Sequence, residues 1–128
     1  MALGPVTQIH VSITDLDRSV AFYRDVLGIP LLFVVPGQPM AFFASGDVRL
    51  YLGVPEPPEF ASKVTLYFAV DDIHAEQLRL ADAGVEFVDK PHVVHRTEDH
   101  ELWMTFFRDP DGHHLALTQE RPTASTGA

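Results

Sequence analysis

Gln8-Ile9-His10-Val11-Ser12-Ile13-Thr14-Asp15-Leu16 returns 57 residues later as Thr65-Leu66-Tyr67-Phe68-Ala69-Val70-Asp71-Asp72-Ile73. Both stretches alternate with a period of two and then reach an aspartate followed by a branched apolar residue. Such alternation predicts a half-buried strand. Ile9, Val11 and Ile13 fall on one face in the first copy, and Gln8, His10 and Ser12 on the other. Leu66, Phe68 and Val70, against Thr65, Tyr67 and Ala69, repeat the division in the second.

The repeat continues beyond the strands. Asp15 and Asp72 stand where a carboxylate would accept a bond from an orphaned amide at a helix N-terminus. Leu16, Val20, Tyr23 and Leu27 then fall on one helical face, which Gly28 ends. Ile73, Leu80 and Ala81 give a weaker face, which Gly84 ends. Ile29 to Val35, Met40 to Ala44 and Asp47 to Leu52 read as strands in the first half. Val85 to Val88, Leu102 to Phe107 and His113 to Thr118 read as strands in the second, the last two joined by the turn Asp109-Pro110-Asp111-Gly112. Each half is thus strand, helix, three strands. The predicted organisation is a first module at 5–54, a linker at 55–62, a second module at 63–119 and a flexible tail at 120–128. One module has too little core to stand alone, so two must pair, within a chain or between chains, around a shared concavity suited to a ligand.

Composition narrows the partners. A chain of 128 residues, 46% hydrophobic, fits one ordinary domain. Its net charge of −9 disfavours phosphate backbones and anionic lipid, so neither nucleic acid nor membrane is expected. The absence of cysteine removes disulfides, thiolate metal sites and thiol nucleophiles. The longest apolar run is far short of a membrane span, and no basic segment precedes an apolar one near Met1. A cytoplasmic protein is the expectation.

Thr14-Asp15-Leu16-Asp17-Arg18-Ser19-Val20-Ala21-Phe22-Tyr23, Leu27-Gly28-Ile29, Val70-Asp71-Asp72-Ile73, Ala83-Gly84-Val85 and Phe107-Arg108-Asp109-Pro110-Asp111-Gly112 carry a resemblance through their order and spacing. The span from Pro5 to Gln119 resembles the vicinal oxygen chelate superfamily of glyoxalases, bleomycin-resistance proteins and extradiol dioxygenases. The resemblance implies an α+β fold of two tandem βαβββ modules forming a cup-shaped, curved mixed sheet, usually in a homodimer. It also implies four metal-ligand positions, which here hold Gln8, Tyr51, Thr65 and Ala116. Glutamine is acceptable there, but the other three are poor ligands for a divalent cation, so no cofactor is expected.

Alternation then nominates what lines the cup instead: Gln8, His10, Ser12, Arg49, Tyr51, Thr65, Tyr67 and His114. His10 titrates near neutrality, Arg49 suits a carboxylate or phosphate, and Tyr67 adds a phenol. These three are the candidate catalytic residues, and a polar network across a wet sheet face is the alternative. His113 should point away from the cup. A second histidine cluster spans 91–103, where the superfamily carries a loop over the cup mouth. His95 and His100, with Asp99 or Glu101, could serve as metal donors, or Trp103 as a stacking surface for a ligand; a solvated loop with Trp103 in the core is the alternative. Three functions stay open. One is an enzyme moving a proton next to an oxygenated carbon (isomerisation or a lyase step) without the usual metal. Another is a non-catalytic binder of a cationic or aromatic antibiotic. The third is a metal-dependent lyase or dioxygenase with a displaced metal site.

Overall fold

The computed structural model describes residues 2–55 and 61–123. The chain divides into two compact units between Val64 and Thr65. In the first, β1 (Gln8–Ser12) leads to α1 (Leu16–Ala21), which runs into a π-helical turn (Phe22–Val26); β2 (Leu31–Val34), β3 (Met40–Ser45) and β4 (Val48–Gly53) follow. The sheet order is β1-β4-β3-β2, with β1 parallel to β4 and the other pairs antiparallel. In the second unit β5 (Thr65–Ala69) leads to α2 (Ile73–Asp82), then β6 (His92–Arg96), β7 (His100–Arg108) and β8 (His114–Pro122). Its order, β5-β8-β7-β6, repeats the first in both sequence and direction. Each unit is the predicted strand, helix and three strands, and the fold is α+β with mixed sheets.

Both aspartates cap as their spacing demands. The Asp15 carboxylate accepts from the Arg18 amide at 3.1 Å, and that of Asp72 from the Ala75 amide at 3.1 Å. The first helix departs from the regular period. The Leu27 amide reaches the Phe22 carbonyl at 2.9 Å, a five-residue step, so the extra residue is taken up in one wide turn. Tyr23 is thereby fully buried, 6.0 Å ring to ring from Phe43. Val11, Ile13, Ala41, Leu50 and Leu52 complete that core, and Leu66, Ile73, Leu80, Phe107, Leu115 and Leu117 form the core of the second unit. Each sheet therefore packs one face against its helix.

Three expectations are corrected. Val85 to Val88 makes a single bridge, Phe87 to Phe107, instead of a strand. Asp89 cuts it short, its carboxylate accepting from Thr105 Oγ1 and the Phe106 amide, both at 2.8 Å. The strand lies after Pro91, at β6. The 91–103 segment is accordingly a β-hairpin, closed at Thr97, whose Oγ1 accepts from the His100 amide at 3.0 Å. The predicted tail begins too early, since Glu120, Arg121 and Pro122 extend β8 against Leu102, Glu101 and His100. A long β7 templates those residues, and the Arg121 guanidinium lies 3.9 Å from the Trp103 ring centroid. Of the predicted linker, 56–60 lie outside the described residues, as do 124–128 of the tail.

Candidate functional site

On the open face of the first sheet, side chains line up in rungs set by the register. Gln8 stands opposite Arg49, His10 opposite Tyr51, and Ser12 opposite Gly53. Across β3 and β2 the middle rung continues through Phe42 and Phe33. Four rings thus cross all four strands, with centroids 4.9 Å apart for His10 and Tyr51, 5.0 Å for Tyr51 and Phe42, and 4.8 Å for Phe42 and Phe33. Tyr51 and Phe42 are 12° from parallel. Their separation is close to the ~4.8 Å between neighbouring strands, at which two rings lying flat would collide. The two rings therefore stand face to face along the rung and turn their edges outward from the sheet.

Gly53 makes room for this. A Cβ there would lie 2.7 Å from Tyr51 Cε1 and 2.8 Å from its Cζ and hydroxyl oxygen. The Tyr51 ring therefore leans along β4 over a position with no side chain. Beside it, His10 Nε2 lies 3.0 Å from Ser12 Oγ, which also accepts from the Ser62 amide at 3.2 Å. At the next rung Arg49 Nε donates to Gln8 Oε1 at 3.2 Å.

A hollow of about 740 Å³ opens on this face. Gln8, His10 and Tyr51 form one side, and Gln38, Pro39 and Met40 another; Val54, Pro55 and Ser62 complete its lining. Its size suits a small organic ligand. Five of the predicted residues, Gln8, His10, Ser12, Arg49 and Tyr51, are thus brought together.

The other predictions fall in the second unit. Thr65 pairs with His114, and His114 with Arg108, all three exposed on the open face of that sheet. Tyr67, 56% exposed, stands opposite Ala116 with its ring edge-on to Phe106 at 6.0 Å. His113 is fully buried on the helix side, as its parity requires. His95 and His100 are exposed, near the far end of β7 from His114. From the rung of Arg108 to that of His100 is eight residues, roughly 27 Å of strand, so these histidines do not join His114.

Trp103 lies on the helix-facing side of its sheet, against His74 of α2 at 5.2 Å and under Arg121. Its indole N–H donates to Glu101 Oε1 at 3.1 Å, and Arg96 donates to the other carboxylate oxygen at 2.9 Å. These contacts make it a packing residue of the hairpin. The hydrogen bond from Trp103, reinforced by Arg96, holds the Glu101 carboxyl below the usual glutamate range.

The positions at which the resembled superfamily binds metal do not fit a divalent cation. Ala116 has no donor and is fully buried. Gln8 Oε1 already accepts from a guanidinium, which sets a positive charge where the metal would sit. Of the two carboxylates offered for a displaced site, Glu101 is engaged by Arg96 and Trp103. Among the described residues no group of three or more His, Asp or Glu is arranged to hold a metal ion.

Reasoning from the sequence missed Phe42, Phe33, Met40 and Gly53. A signal existed for Phe42. The break between the predicted strands Met40 to Ala44 and Asp47 to Leu52 is a Ser45-Gly46 turn, and pairing Ser45 with Val48 across it forces Phe42 opposite Tyr51. The adjacent Phe43 hid this, because two consecutive aromatics blur the alternation.

Over residues 6–117 the chain matches the model of the Glyoxalase/Bleomycin resistance protein/Dioxygenase superfamily. It is 31% identical over 120 residues to the uncharacterized protein YraH of Bacillus subtilis (strain 168), spanning 81% of this chain and 89% of that one. It is 26% identical over 131 residues to the metallothiol transferase FosB of Lysinibacillus sphaericus (strain C3-41), spanning 94% and 89%. Among solved structures it resembles TnmS3, an antibiotic binding protein from Streptomyces sp. CB03234. That likeness has a TM-score of 0.75 and 28% identity, over 96% of this chain and 99% of that one.

Proposed function

The chain belongs to the Glyoxalase/Bleomycin resistance protein/Dioxygenase superfamily, and from that premise we propose that it binds a small planar aromatic molecule in the hollow of its first unit. The observation that carries this is the transverse row of His10, Tyr51, Phe42 and Phe33, of which His10 and Tyr51 line the hollow. Ring edges aimed out of the sheet meet the face of a flat ligand in the T-shaped geometry that aromatic pairs favour, worth about 0.5–1.5 kcal/mol per contact. The likeness to an antibiotic binding protein supports the reading, as does a donor set unsuited to the metal chemistry of other members.

A panel of naphthalene, quinoline and anthraquinone derivatives, assayed by ligand-induced change in melting temperature and by calorimetry, tests it. At least one should bind, and Tyr51→Leu should weaken it by about tenfold. No binder in the panel, or equal affinity in the variant, sinks the proposal.

A second reading, an enzyme that moves a proton with His10, is favoured by the His10–Ser12 contact at the edge of the hollow. Loss of turnover in His10→Ala, in a screen of carbonyl substrates, would support it; unchanged rates would end it. Arg49 then serves to hold substrate. No helix among the described residues is long and apolar enough to cross a membrane. We extend the proposal to a cytoplasmic homodimer, for which light scattering in solution is the check.

A further inference from the structure

The protein carries 18 acidic residues and a net charge of −9, yet among the described residues none that lines the hollow is acidic. Arg49 stands two residues along β4 from Tyr51, on the same face, and is solvent-exposed. Arg24, Arg79 and Arg96 each pair with a carboxylate. Arg49 instead donates through Nε to the neutral amide oxygen of Gln8, a residue of the hollow's wall. An amide partner orients a guanidinium without neutralising it, leaving its charge to attract an anion.

The rings point the same way by an independent route. An aromatic edge is the positive end of the ring quadrupole, and only the face attracts a cation. Tyr51 is stacked on Phe42 on one side and packed against His10 on the other. Contacts on both sides of the ring leave its edge, more than a π-face, for a ligand, and an edge favours an electron-rich ring over a cation. From these two features we infer that the ligand is an aromatic anion, a flat ring bearing a carboxylate or a comparable acid, with its ring over Tyr51 and its charge toward Arg49. This deepens the proposed aromatic-binding function and rests on it. Of the cationic or aromatic antibiotic left open by the sequence, it keeps the aromatic ring and gives it a negative charge.

The test uses three probes of one shape on the full chain at fixed ionic strength: naphthalene-2-carboxylate, 2-naphthalenemethanol and 2-naphthylmethylammonium. The carboxylate should bind about tenfold tighter than the alcohol, and the ammonium weakest. Arg49→Gln should bring the carboxylate down to the affinity of the alcohol while leaving the alcohol unchanged. Arg49→Lys should restore part of the difference, because it keeps the charge without the fork. Equal or tighter binding of the ammonium, or a carboxylate preference that survives Arg49→Gln, overturns the assignment of charge alone. Failure of all three probes to bind overturns the aromatic-ligand reading and this inference with it.

Discussion

A Cβ added at Gly53 would sit 2.7 Å from the Tyr51 ring, closer than such atoms approach in folded proteins. The backbone there has no positive φ, so Gly53→Ala introduces a collision and no strain of the main chain. The ring cannot simply swing aside, because Phe42 stacks on one face and His10 packs edge-to-ring on the other side. Overpacking of this kind costs about 1–3 kcal/mol, and we predict that loss for Gly53→Ala in urea denaturation. Replacing Tyr51 by Leu in the same chain should recover part of it, giving a non-additive double-mutant cycle. Additive losses would show that Gly53 and Tyr51 do not contact. Ser12 is a second residue whose role is positional, fixing the His10 ring through Nε2. At this scale the sequence was informative about identity and silent about aim. Alternation placed Gln8, His10, Arg49 and Tyr51 on one face, but nothing in the string says that Tyr51 leans toward Gly53.

The β6–β7 hairpin shows what an element adds. Glu101 joins its two strands by accepting from Trp103 on its own strand and from Arg96 across the ladder. Its carboxyl titrates below the ordinary glutamate range, chiefly because of the Trp103 bond and then Arg96. A lowered folded value means that the ionised form stabilises the fold. That contribution is complete above the unfolded glutamate pKa and is lost as pH falls through the folded one. Melting temperature followed from about pH 6 to about pH 3 should therefore fall on the acid side. Glu101→Gln should lower the neutral-pH value and flatten that part of the curve; an unchanged acid limb would assign the loss to other carboxylates. The helices and most strands were legible because caps, turn residues and period are local. Val85 to Val88 was misread because an apolar run becomes a strand only where a neighbour offers a continuous ladder, and Asp89 ends that opportunity after one bridge. The hairpin escaped notice because its strands are polar and rich in histidine, and pairing with β7 overrode weak intrinsic preference.

Over the whole molecule the net charge is −9, whereas the proposed binding face carries an arginine and, among the described residues, no lining acid. Long-range and local fields then act in opposite directions on an anionic ligand. Raising ionic strength from about 0.01 M to about 0.15 M shortens the screening length from roughly 30 Å to roughly 8 Å. The distant negative charge is screened more than the adjacent Arg49. We predict that the association rate of naphthalene-2-carboxylate rises over this range and that of 2-naphthylmethylammonium falls, both read by stopped-flow fluorescence. A falling rate for the carboxylate would mean that Arg49 governs approach as well as residence. The duplication, the capped helices, the α+β class and the partition of β1, β4, β5 and β8 into a buried and an open face were all determined by sequence alone. They follow from local spacing, turn chemistry and which residues water rejects. The tertiary structure decided the rest: which rings share a rung, where Tyr51 leans, that Trp103 serves α2 and Arg121, and that Arg49 answers to an amide. Those are relations between residues far apart in the chain, fixed by strand register and by the space that neighbours leave, and no local pattern encodes them.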